Sequence, residues 1–227
     1  MNNELQRLHF PMSHLKDKIF ELRDHWTPRL GKLPFWTLGL ASYKDFSHPQ
    51  YYELADESNR LLCEAFPSFY LDQLEFFSEM LKAPVRYMPK MSIPGFHIFE
   101  SCPEFTEQMA RPHVDVPFNN YKWGAQMTMD SVFTHAIAVE LPKSGASMRS
   151  WFGVTVEDLA RDGIERCLER LKTEPSELVE HKVDQMLFHS GAFFHQISPF
   201  KEYVPNEWRI TLQSHAIKLD GVWNLYW

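Results

Sequence analysis

The chain has 227 residues, 44% of them hydrophobic and 23% charged, with 30 acidic against 23 basic side chains and a net charge of −7. That length suits one domain, 1–227, with a sizeable core, and the balance excludes intrinsic disorder. An acidic chain without a Lys/Arg run predicts no nucleic-acid partner, and no apolar run reaches the ~20 residues that span a membrane.

Residues 1–10 are polar and mixed, unlike a secretory signal. Cys63, Cys102 and Cys167 are far apart and form no C-x-x-C pair. An odd, scattered set of thiols predicts a reducing, cytoplasmic compartment.

The first third, 1–84, reads as helical. Leu15, Ile19, Leu22 and Trp26 recur at helical spacing over 13–26. Further helices are predicted over 50–65 and 68–81, the latter with Leu71, Leu74, Phe77 and Leu81 as its buried stripe. From Val85 the texture changes to short alternating segments cut by Pro, Gly and Asn. Strands are predicted over 85–92, 95–100, 131–140, 148–153, 183–188, 195–198 and 208–217, the spacing of a β-sandwich or barrel. Thr155-Val-Glu-Asp resembles a capping box with Asp in the Glu position, opening a helical insertion within about 155–180. Behind it Val156, Leu159, Ile164, Leu168 and Leu171 keep helical spacing. The expected fold class is mainly β with helices (α+β), the N-terminal helices covering one sheet and a tail following at 218–227.

Three stretches carry chemistry. In Arg111-Pro-His-Val-Asp-Val-Pro-Phe an extended backbone projects His113 and Asp115 to one face, their Cα atoms ~7 Å apart. An imidazole plus a carboxylate suits divalent iron and needs one more His to complete a facial triad. The same pair also serves elsewhere as a surface ion pair. The second stretch, 186–198, offers His189 and His195 as the third ligand. The third, 208–217, sorts by period 2: Arg209, Thr211, Gln213 and His215 share one face, Ile210, Leu212, Ser214 and Ala216 the other. An Arg and a hydroxyl two residues apart can grip a carboxylate, either of a ligand or of a protein Asp or Glu.

Together these stretches resemble the Fe(II)- and 2-oxoglutarate-dependent oxygenase superfamily, whose pattern is H-x-D, a distal His, then an Arg followed two residues on by Ser or Thr. Here the matching residues are His113-Val-Asp115, His195 and Arg209-Ile-Thr211. His195 precedes Arg209 by 14 residues and His189 by 20, and the shorter gap fits a turn between adjacent strands. The stretch 141–151 resembles the family's hairpin into the next core strand. The resemblance covers about 85–217.

The resemblance implies a double-stranded β-helix (a cupin-like jelly roll) with Fe(II), 2-oxoglutarate and molecular oxygen as cofactors. It implies iron held by His113, Asp115 and His195, and the distal carboxylate of 2-oxoglutarate held by Arg209 and Thr211. The implied activity is a dioxygenase that hydroxylates an unactivated C–H of a small metabolite, amino acid or peptide side chain. Phe118, Tyr121, Trp123, Gln126 and Gln213 are the candidate substrate-pocket residues. His189 reads as a group behind the ligands or a satisfied core His. Asp115 argues against halogenation, which in this family goes with loss of the acid. The alternatives are a cupin-like metal enzyme that does not use 2-oxoglutarate, and a non-catalytic jelly-roll binding module.

Overall fold

The computed structural model describes residues 5–116 and 129–227. The chain begins with β1 (Gln6–His9), a 3-10 turn over Ser13–Leu15, α1 (Lys16–Glu21) and a second 3-10 turn over Arg23–His25. The predicted helix over 13–26 is therefore broken into three pieces, although Leu15, Ile19 and Trp26 are buried as its spacing implied. A hairpin of β2 (Thr27–Leu30) and β3 (Leu33–Leu38) follows, then α2 (Ser42–Asp45), α3 (Tyr51–Ala65) and α4 (Pro67–Leu81).

Pro67 begins α4, where its missing N–H is no loss. Lys82 ends the helix at φ 48, in the left-handed region. The helix buries Phe69, Tyr70, Gln73 and Phe77. Leu71, expected in the stripe, is 68% exposed. Two residues before Gln73, it lies well around the helix from the buried face.

The remaining elements are β4 (Val85–Tyr87), β5 (Gly95–Glu100), α5 (Glu104–Glu107), β6 (Val132–Glu140), β7 (Met148–Thr155), α6 (Val156–Asp162), α7 (Ile164–Leu171), β8 (Glu177–Val179), β9 (Gln185–His189), β10 (Phe193–Ile197), β11 (Trp208–Leu219) and β12 (Val222–Tyr226). The Thr155–Asp158 capping box opens α6, Asp158 accepting the Thr155 N–H at 3.0 Å. Gly163 at φ 79 separates α6 from α7. That turn buries Cys167 and Leu171 and leaves Ile164 and Leu168 exposed, against the single stripe expected.

Two sheets result among the described residues. The large one runs β1-β9-β6-β11-β5-β3-β2, with β12 beside β11 and β4 beside β12; the small one runs β10-β7-β8. All pairings are antiparallel except β12 with β4. The architecture is the antiparallel jelly roll with flanking helices that the sequence predicts. The outer face of the large sheet, including Ile210 and Leu212, packs against Phe69, Tyr70 and Phe77 of α4. The outer face of the small sheet packs Trp151, Val154 and Phe194 against Cys167 and Leu171 of α7.

Two expectations about the ends of the chain are corrected. Residues 1–84 are not purely helical, because β1 pairs with β9 and β3 with β5. Residues 218–227 are not a tail, because β12 pairs along β11 from His215–Tyr226 to Leu219–Val222. The predicted strand over 85–92 shrinks to Val85–Tyr87; Lys90 at φ 66 turns the chain away from it. The three cysteines are free. No described helix is long and apolar enough to cross a membrane.

Candidate metal and carboxylate site

Residues 111–116 lie along the free edge of β10. His113 and His195 form an antiparallel bridge, each N–H donating to the other's carbonyl, at 2.9 and 2.8 Å. The Asp115 N–H then donates to the Gly191 carbonyl at 3.0 Å. This backbone lock sets the three side chains at one point. His113 Nε2 is 3.7 Å from Asp115 Oδ1 and His195 Nε2 is 3.4 Å from Asp115 Oδ2. One ligand atom from each residue falls within 4.8 Å of the others. Among the described residues this is the cluster of His, Cys, Asp and Glu able to hold a metal ion.

The tautomers follow from the backbone. His113 Nδ1 lies 2.8 Å from the Arg111 carbonyl and His195 Nδ1 lies 3.1 Å from the Phe193 carbonyl. A carbonyl can only accept, so each Nδ1 carries a hydrogen and each Nε2 is the nitrogen turned toward Asp115. Burial alone would raise the Asp115 carboxyl, but His195, its hydrogen bond, and His215 and His113 hold it well below the usual carboxylate range. Burial likewise opposes protonation of His195, and Asp115 outweighs it.

His189 is near but separate. Its ring centroid is 5.2 Å from that of His195, and its Nδ1 accepts the Gly191 N–H at 3.0 Å. Burial lowers its pKa to about 3, so the ring is neutral and stands as an acceptor. His189 thus props the Gly191 turn. On the other side of Asp115, Thr134, Ser190, His215 and Tyr226 line a small cleft, with Thr134 Oγ1 and His215 Nδ1 2.9 Å apart.

Arg209 and Thr211 face the barrel interior. Thr211 stands opposite His97 on β5 and Ala138 on β6. Ala136 on β6 stands opposite Gln213. Arg209 is 1% exposed. Its Nε donates to the Ala146 carbonyl and one terminal nitrogen to Thr211 Oγ1, each at 3.0 Å. Among the described residues no carboxylate forms an ion pair with it, and burial lowers its pKa to about 9 with no acidic neighbour to offset it. The sequence left open whether a protein Asp or Glu neutralises this Arg; the described residues supply neither.

Gln213 is half-buried on the same inner face. Phe118, Tyr121, Trp123 and Gln126 lie outside the described residues. The hydroxyl of Tyr43, on α2, lies 2.7 Å from His97 Nε2, an inward partner that sequence reasoning missed. Arg86 Nε donates to Asn224 Oδ1 at 2.7 Å.

No family model matches the chain, and no curated protein matches it. Solved structures do. A novel N-substituted L-amino acid dioxygenase of Burkholderia ambifaria AMMD, in complex with alpha-KG, is similar with a TM-score of 0.60 at 12% identity, over 98% of this chain and 86% of that one. A 2OG-Fe(II) oxygenase family oxidoreductase of Burkholderia pseudomallei is similar with a TM-score of 0.51 at 11% identity, over 96% and 87%. AviO1 of Streptomyces viridochromogenes Tue57 is similar with a TM-score of 0.50 at 12% identity, over 96% and 91%. The chain therefore shares the jelly-roll fold of 2OG-Fe(II) oxygenases.

Proposed function

We propose that the chain is an Fe(II)- and 2-oxoglutarate-dependent dioxygenase that hydroxylates an unactivated C–H of a small metabolite, amino acid or peptide side chain. The observation that carries this reading is Arg209. A fully buried guanidinium without a carboxylate among the described residues is costly to keep, and it lines the interior of the barrel whose edge holds the His113, Asp115 and His195 cluster.

The residues fit the groups this activity needs. Two imidazoles and one carboxylate make a mixed N/O set suited to iron with open coordination positions. When bound, iron, 2-oxoglutarate and oxygen supply the oxidising chemistry. His113 and His195 present their Nε2 atoms because the Arg111 and Phe193 carbonyls hold their Nδ1 hydrogens. Asp115 stays ionised and gives the site a negative charge. Arg209 grips the distal carboxylate of the cosubstrate through its planar fork, with Thr211 orienting the guanidinium. Phe118, Tyr121, Trp123, Gln126 and Gln213 are the proposed substrate-facing residues.

The test is succinate formation from 2-oxoglutarate with iron and oxygen, then a substrate panel read by mass. The Burkholderia ambifaria fold neighbour puts N-substituted amino acids first on that panel. Succinate, and a gain of one oxygen in one panel member, are expected. Iron binding without succinate across the panel would contradict the reading.

A further inference from the structure

Outside the metal cluster, the His181 ring carries two buried nitrogens that no hydrogen bond satisfies. It lies in the connection from β8 of the small sheet to β9 of the large one. Two registers place it. β8 ends at Val179, two residues before His181, and Val179 pairs with Met148, itself two residues past Ala146, whose carbonyl accepts Arg209 Nε. On the other side Val183 bridges Ala138, and Ala138 is the β6 partner of Thr211. Val179, the last residue of β8, packs inward with Met148, Leu187 and Phe193. The backbone neighbours of Arg209 and of Thr211 therefore bracket His181.

The residue is partly exposed, but both of its ring nitrogens are buried and without a hydrogen-bond partner. Buried polar atoms are rarely left so, and such an atom calls for a missing partner. Burial first, and then the positive charge of Arg209, hold the imidazole well below its ordinary pKa. The ring is neutral with one N–H to give. A cation and a neutral donor near one another match a carboxylate, which has two oxygens and accepts from both.

We infer that His181 is a third cosubstrate-binding residue, donating its N–H to the carboxylate held by Arg209 and making the site select a 2-oxo acid with a second carboxylate. This rests on the 2-oxoglutarate reading above. Without a third donor one side of that carboxylate would lose its partner, and the ring nitrogens of His181 would stay unsatisfied.

The experiment titrates 2-oxoglutarate, and 2-oxopentanoate, which lacks the distal carboxylate, into the anaerobic ferrous protein and its His181→Phe variant. His181→Phe is expected to weaken 2-oxoglutarate binding about 10- to 100-fold, the worth of one hydrogen bond to a charged group. Iron affinity and 2-oxopentanoate binding should change by less than about 2-fold. His181→Asn, which keeps an N–H, should recover part of the loss. If the Phe variant does not fold, His181→Ala makes the same comparison. Unchanged 2-oxoglutarate affinity in the variant, or equal loss for both acids, overturns the inference while leaving the cosubstrate reading intact. Failure of the unmutated protein to bind 2-oxoglutarate overturns both.

Discussion

Gly191 lies against Asp115 so closely that a methyl group on its Cα would come within 2.7 Å of the Asp115 carbonyl oxygen and 2.8 Å of its Cβ. Gly191 also sits at φ +76, where side chains are rarely held. The metal cluster depends on this contact, because the Gly191 carbonyl receives the Asp115 N–H. Gly191→Ala should cost about 1–3 kcal/mol of stability, a fall of several degrees in Tm at this chain length. It should also weaken ferrous ion binding by moving Asp115. Thermal melting and an anaerobic iron titration check it; a variant with unchanged iron affinity would mean that Asp115 does not need the turn.

His189 and His195 are six residues apart in sequence but have different roles in space. His195→Ala should abolish tight iron binding. His189→Ala should keep measurable binding, weakened through the Gly191 turn that His189 props. Metal titration of the two variants decides it. The reverse ranking would make His189 the ligand.

Asp184 ties the N-terminal segment to the turn before β9. Its carboxylate accepts the Ser13 N–H at 2.6 Å and the Ser13 hydroxyl at 2.8 Å, and also the Met12 N–H. Burial pushes this carboxyl up, but the hydrogen bonds win and hold it below its ordinary value. The stability it contributes is therefore fully present above pH 3.8 and lost as pH falls through the lower folded value. Asp184→Asn tolerates the same φ of 61; it removes the charge and turns one of the two acceptor oxygens into a donor, against which the Ser13 hydroxyl can rotate to accept. It should cost about 1 kcal/mol at neutral pH. Denaturant melts of both proteins should converge as pH drops below that range, and a gap that persists there would point to a cause other than the charge.

Most of the barrel was legible because period 2 and punctuation agree. Arg209–Ala216 alternates by residue type, and Ile210 and Leu212 pack on the outer face as that alternation implies. The missed strands had signals that were not read. Asp220-Gly221, both at positive φ, is the tight turn that folds β12 back on β11. Gly31 at φ +60 does the same between β2 and β3. The Tyr43–His97 pair and the burial of His181 had no signal in the chain, since each arises from contacts between distant segments. Leu71 and Ile164 were misplaced because a loose apolar spacing fits more than one helix face.

Titrating 2-oxoglutarate into the anaerobic ferrous protein, while following the metal-to-ligand charge-transfer band, tests whether Arg209 holds its distal carboxylate. Unmutated protein should bind, and Arg209→Ala should weaken binding by roughly 30-fold to several-thousand-fold, the loss of one partner from a buried charge pair of ~2–5 kcal/mol. Iron affinity should hold, because Arg209 stands outside the metal cluster. Arg209→Lys should recover part of the loss, a point charge replacing a planar fork. Equal affinity in Arg209→Ala would refute the carboxylate assignment, and no binding by the unmutated protein would refute the account.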